Sequence, residues 1–143
     1  MYILDTNIVS LMFRSPNQHP VLQSRVKRTP NEQIWVSVIS ADEAIMGARS
    51  LIHNRKGNMF DGYRLLTKIL TFYSRFQFLV YDEAAHSVFN GFTGDAARVS
   101  KPDRRIAATA ISKDYIVVTQ NIQDFQRIPD VQYEDWTIEP TLN

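Results

Sequence analysis

Four acids in this chain could build a reaction centre: Asp5, Glu43, Asp103 and Asp124. Asp5 directly follows the apolar run Tyr2–Leu4. Glu43 stands one short turn after the β-rich run Ile34–Ile39. Asn121 and Asp124 follow the run Tyr115–Thr119, and Asp103 opens a helix that leads into that run. Carboxylates supplied from separate strands can hold a hard divalent cation such as Mg2+ or Mn2+, which prefers oxygen ligands. Such a site leaves room for water and a phosphate. The ion lowers the pKa of its water and neutralises charge on phosphoryl oxygens. Helix dipoles oppose a cation at these positions, but each amounts to about half a charge. Every acid also has a structural alternative. Asp5 can cap the next helix. Ser40-Ala41-Asp42-Glu43 reads as a capping box with Glu43 at the third helical position. Asp103, after Pro102, complements a helix dipole. Asn121 can cap a short helix with Asp124 in its first turn. These alternatives explain the residue types singly. They leave unexplained why every candidate falls at the same expected edge.

The elements that must position these residues follow from apolar periodicity. Tyr2–Leu4 reads as a short buried strand, followed by helices over Ile8–Phe13 and Val21–Arg28. Ile34–Ile39 is a strand, and Ala41–Ile52 has helical spacing. Phe60–Phe76 is a long helix with two apolar rows, one at 60, 63, 66, 70 and 73 and another at 65, 69, 72 and 76. That width suits burial against the domain and against a partner, or full internal coverage. Phe78–Tyr81 is a strand, Ala84–Phe92 a helix, Asp103–Lys113 a helix, Tyr115–Thr119 a strand and Ile122–Arg127 a short helix. Trp136–Ile138 is expected to add an edge strand. Strand and helix alternate, which argues for a mostly parallel sheet covered on both faces. Such sheets bind ligands beyond the carboxyl ends of their strands.

With 143 residues, one domain spanning 1–143 is expected. The chain lacks cysteine, which excludes disulfides, thiolate metal sites and a cysteine nucleophile and suits a reducing cytoplasm. No apolar run approaches the roughly 18 residues of a membrane span, and Asp5 comes too early for a signal peptide. A cytoplasmic protein beginning at its own N-terminus is therefore expected. Net charge is only +1, but it is unevenly spread. Residues 6–31 carry Arg14, Arg25, Lys27 and Arg28 and no acid, and 44–81 carry six basic residues against Asp61 alone. Arg49, Arg55 and Lys56 are candidates to line a polyanion's path; solvated helix faces are the alternative. Arg104 and Arg105 could reach a phosphate beside Asp103. Thr6, Ser40 and Thr119 could orient water or carboxylates, or serve as caps. His19, His53 and His86 match no zinc spacing. Serine-hydrolase and phosphate-loop motifs are absent.

Four ordered segments carry a resemblance. Met1-Tyr2-Ile3-Leu4-Asp5-Thr6-Asn7, Ser40–Gly47, Pro102–Ala110 and Val118–Phe125 are similar to the four motifs of the PIN domain family, and within it of the VapC-type toxin ribonucleases. The resemblance covers nearly the whole chain. It implies a three-layer α/β/α fold and endoribonuclease activity dependent on Mg2+ or Mn2+. It implies metal binding by Asp5, Glu43 and Asp103, with Asp124 or Asn121 as the fourth group. A homodimer and a small VapB-like antitoxin that blocks the site are implied as partners. The alternatives are a PIN-type RNA-processing nuclease, a silent RNA- or protein-binding module, and an acid-pocket phosphatase or phosphoacceptor. The phosphoacceptor needs a lysine near the end of the last strand, and Thr119-Gln120-Asn121 offers none.

Overall fold

The computed structural model describes residues 1–140. Five short strands form one all-parallel sheet: β1 (Tyr2–Leu4), β2 (Ile34–Ser37), β3 (Gln77–Leu79), β4 (Ile116–Val118) and β5 (Gln132–Glu134), in the spatial order β3-β2-β1-β4-β5. The helices are α1 (Thr6–Arg14), α2 (Pro20–Arg28), α3 (Val38–His53), α4 (Met59–Tyr73), α5 (Glu83–Asn90), α6 (Lys101–Lys113) and α7 (Ile122–Phe125).

Successive strand residues point to opposite faces, and this divides the core in two. Leu4, Val36 and Val118 pack with Ile8, Leu22, Ala48, Ile69 and Trp136 on one side. Ile3 and Val117 pack with Ile106, Ala107, Ala110 and Phe125 on the other. The result is the expected three-layer α/β/α sandwich. The near-continuous apolar strands are the signature of a sheet covered on both faces.

Two expectations are corrected. Strand β2 stops at Ser37, whose Oγ accepts from Ile39 N at 3.0 Å and caps α3. Ser40 and Glu43 are therefore the third and sixth helical residues, so the capping box does not exist. The run Ile34–Ile39 is apolar but for Ser37 and gives no periodic signal for where strand becomes helix; the sheet pairing stops at Ser37, which then caps the helix. Trp136–Ile138 is no strand; the edge is β5, paired to β4 with Ile116 opposite Gln132. Asp135 Oδ1 accepts from Thr137 N and Oγ1 at 2.8 and 2.6 Å, which turns the chain. Trp136 is then buried edge-on against Tyr2, its indole N–H donating to Glu134 Oε2 at 2.8 Å. The row of α4 at 65, 69, 72 and 76 packs on the core, with Ile69 buried. The other row divides: Tyr73 at its end is buried, while Phe60, Tyr63 and Leu70 stay more than half exposed.

Gly62 lets α4 lie directly on α3. A Cβ there would stand 2.6 Å from Ile52 Cγ1 and 2.7 Å from Ile52 N. The backbone atom cannot yield without moving the helix. Alanine is the better helix former by about 1 kcal/mol, yet Gly62→Ala is expected to destabilise the protein by about 1–3 kcal/mol through overpacking. Urea denaturation of the two proteins measures the difference.

Candidate active site

Strand β1 lies at the switch point of the sheet. Chain order runs outward from it in one direction through β2 and β3, and in the other through β4 and β5. Open parallel sheets form a crevice at this place, beyond the carboxyl ends of the strands. Asp5 stands at the end of β1 and is pinned to the neighbouring strand by its N–H, which donates to Val118 O at 2.9 Å. Thr119 directly follows β4, Asn121 stands at the N-cap position of α7 without a side-chain cap bond, and Glu43 lies on α3 after β2. Asp103 is in the first turn of α6, where Ser100 Oγ caps the helix by accepting from Asp103 N.

Hydroxyl and amide groups link these acids. Thr119 Oγ1 donates to Asp5 Oδ2 at 2.7 Å and accepts from Asn121 N at 2.9 Å. Asn7 Nδ2 approaches the same hydroxyl at 3.3 Å. Thr6 N donates to Asp5 Oδ1 at 2.7 Å, so Asp5 does satisfy the start of α1. Thr6 Oγ1 lies 2.6 Å from Glu43 Oε2 and 3.1 Å from Ser40 Oγ. A hydroxyl has one hydrogen, so Thr6 donates to the carboxylate and accepts from Ser40. Asn121 Nδ2 reaches Asp103 Oδ2 at 3.3 Å and Asp124 Oδ2 at 2.9 Å. It is a neutral brace between two acids.

The electrostatics follow from burial and crowding. Asp5 is 1% exposed. Burial, with Asp103 and Glu43 nearby, pushes its carboxyl up to about 7 despite the hydrogen bonds from Thr119 and Thr6. Burial raises Asp103 as well, and Asp124 adds to the rise. Tyr73, buried at the end of α4, has its phenol raised by burial and by the same acids, Glu43 first and then Asp5. Asp124 alone of the four acids is ion-paired among the described residues, with Arg127 at 3.2 Å. Among these residues no three acidic or histidine side chains already converge on one ion-sized point. The donor set still fits a hard divalent cation. It is all oxygen, carries excess negative charge, and leaves Asp5, Glu43 and Asp103 without a cationic partner among the described residues.

The anticipated basic residues are placed differently. Arg49 is exposed on α3, and Arg55 and Lys56 lie in the exposed turn between α3 and α4. Arg49 lies six residues beyond Glu43, about 9 Å along the helix. Arg104 and Arg105 follow Asp103 directly and are half-buried. Three site residues were not singled out by sequence reasoning: Asn7, Tyr73 and Arg127. Asn7 sits two residues after Asp5 and Arg127 three after Asp124, so local spacing could have indicated both. Tyr73 lies at the end of an apolar row, and nothing local marks it.

A groove of about 260 Å³ runs from Thr6 and Glu43 between α1, α3 and α4, with Phe13, Arg14, Leu65 and Tyr73 in its walls.

The model of the PIN domain matches residues 2–131. The chain is 30% identical over 140 residues to ribonuclease VapC1 of Haemophilus influenzae (strain R2866), covering 96% of this chain and 98% of that protein. It is 30% identical over 140 residues to the tRNA(fMet)-specific endonuclease VapC of Salmonella typhimurium, covering 94% and 97%. Among solved structures, the fold matches the DNA-bound VapBC of Salmonella typhimurium with a TM-score of 0.78 at 29% identity, covering 94% of this chain and 97% of that one. It matches VapBC-1 of nontypeable Haemophilus influenzae with a TM-score of 0.76 at 27% identity, covering 96% and 98%. Four acids gathered at the switch point of a parallel α/β/α sandwich, and a family match over residues 2–131, establish that this chain belongs to the PIN domain family.

Proposed function

We propose that this protein is an endoribonuclease toxin of the VapC type, dependent on Mg2+ or Mn2+ and neutralised by a small antitoxin. The observation that carries this reading is the cluster of Asp5, Glu43 and Asp103, held together with no counter-cation among the described residues. In this reading Asp5, Glu43 and Asp103 hold the ion, and Asn121 and Asp124 complete its surroundings. When bound, a divalent ion supplies an acidified water and neutralises charge on the phosphate. The side chains of this protein do the rest. Thr119 and Thr6 fix the Asp5 carboxylate from both of its oxygens. Thr6 and Ser40 aim Glu43. Asn121 keeps Asp103 and Asp124 apart at a set spacing. Asp124, already shared with Arg127, acts from the rim.

Partners follow from the same reading. The similar VapBC structures of Salmonella typhimurium and Haemophilus influenzae support an antitoxin of the VapB kind. The groove leading to Glu43 offers it a path to the acids, which an inserted guanidinium would pair bidentately. A homodimer is part of the proposal, and Met46, Phe60, Tyr63 and Leu70 give exposed apolar area for protein contacts. No helix among the described residues is long and apolar enough to cross a membrane, and we place the activity in the cytoplasm, where RNA is available.

The test is cleavage of a panel of RNAs, initiator tRNA included because relatives bear that specificity in their names. Mg2+ or Mn2+ should support internal cleavage and EDTA should stop it. Cleavage that persists in EDTA would refute the metal, and no cleavage of any RNA with either ion would refute the nuclease.

A further inference from the structure

Two arginines that follow Asp103 in the first turns of α6 are placed in an unusual way. Arg104 and Arg105 are the fourth and fifth residues of α6. The positive end of a helix is the wrong place for cations. Each is half-buried, and each Nε is buried with no hydrogen-bond partner. Neither forms an ion pair with any described acid, although Lys113 at the far end of the same helix pairs with Asp82. Aromatic rings support both instead. Arg104 Cζ lies 4.9 Å from the centre of the Phe89 ring. Arg105 Cζ lies 5.7 Å from Tyr81 and 5.9 Å from Phe89. A cation–π contact favours a guanidinium over the ring face while leaving its outer edge free to donate. The buried Nε atoms face inward, and the outer Nη groups make no hydrogen bond or ion pair among the described residues, so each guanidinium keeps its outer edge for a phosphate that lies off the Asp103 face of α6 and outside the acid cluster.

We infer that Arg104 and Arg105, propped on Phe89 and Tyr81, form a phosphate clamp for a nucleotide flanking the cleaved bond. This rests on the ribonuclease reading. The clamp reads backbone and not base, so it positions single-stranded RNA without selecting sequence. It favours arginine over lysine because the planar fork both stacks and binds phosphate in a bidentate way.

The experiment measures binding of a fluorescent single-stranded RNA in EDTA across a salt series, so that no cleavage is needed for the readout. Arg104→Gln and Arg105→Gln should each weaken binding about tenfold at low salt and flatten the dependence of log affinity on log salt by about 0.7 per lost phosphate contact. Arg105→Lys should restore the salt slope but not the affinity. Phe89→Leu keeps both charges and most of the volume, so its slope should match wild type while affinity falls several-fold. Melting curves exclude unfolded variants, and a variant that does not fold is replaced by the corresponding methionine, which keeps the apolar stem. Slopes and affinities unchanged in both glutamine variants would overturn the clamp, even if the wild type cleaves RNA. A wild type that binds with the full slope and never cleaves would instead overturn the nuclease reading and leave the clamp standing.

Discussion

Asp5→Asn will lower RNA cleavage by about 10³-fold or more, since an ion's stabilisation of the reacting phosphate is worth several kcal/mol. It will also change stability in a way that depends on pH. The folded carboxyl titrates at about 7 and the ordinary value is 3.8. The native state therefore holds its proton more tightly than the unfolded chain. The stability this gives is fully present below about pH 4, is lost as pH rises to about 7, and stays lost above that. The loss is on the order of 4 kcal/mol. An amide has no such charge to bury. It cannot accept at both positions, however, so one of the bonds from Thr6 N and Thr119 Oγ1 is reversed or broken, at about 1–2 kcal/mol. In EDTA at pH 8 the variant should be the more stable protein by a few kcal/mol. At pH 4 it should be no more stable than wild type. Urea denaturation at the two pH values measures this. If Asp5 were only a cap, Asn would serve as well, and activity and both stabilities would be unchanged.

Thr119→Val should produce the next largest effect. Valine has the same shape and removes only the hydroxyl. Asp5 Oδ2 loses its donor, and Asn121 N and Asn7 Nδ2 lose their acceptor. The Thr119 bond holds the Asp5 carboxyl down, so without it the raised value climbs further. Cleavage at pH 7 is expected to fall about 10- to 100-fold and to recover in part near pH 9, because more of the Asp5 population must be deprotonated before it can hold an ion. Stability should fall by about 2–3 kcal/mol, the cost of stranding buried polar groups. Thr119→Ser keeps the hydroxyl and should retain most of both. An unchanged pH profile in the valine variant would show that the hydroxyl does not tune Asp5.

The architecture was legible because strands buried on both faces read as short apolar runs, and because each acid came just after such a run or opened the helix before one. Position relative to strand ends is a local property, so Asp5, Glu43, Asp103 and Asn121 could be placed at one edge without coordinates. The cap of α3 was not legible. Ser37 and Ser40 are both good caps, and only the length of pairing between β1 and β2 chooses between them. The edge strand was misplaced because Trp136 and Ile138 have β propensity, whereas Asp135 bends the backbone with its own side chain. The cross-bracing was also hidden. Thr119 meets Asp5 across 114 residues and Thr6 meets Glu43 across 37, and no spacing rule links such pairs. Tyr73 was missed for the same reason: α4 delivers it beside Glu43 only once α3 and α4 have packed.

The central claim is that these acids are a metal site. An ion bound only by the folded protein stabilises it by mass action, by about 2.7 kcal/mol at one hundred times its dissociation constant. Paired melting curves of wild type and Asp5→Asn at pH 8, in EDTA and in a titration of Mg2+ or Mn2+, test this directly. The melting temperature of wild type should rise with either ion, and that of Asp5→Asn, higher at the start, should barely move. An equal metal-dependent rise in both proteins, or none in the wild type, would contradict the assignment of the site.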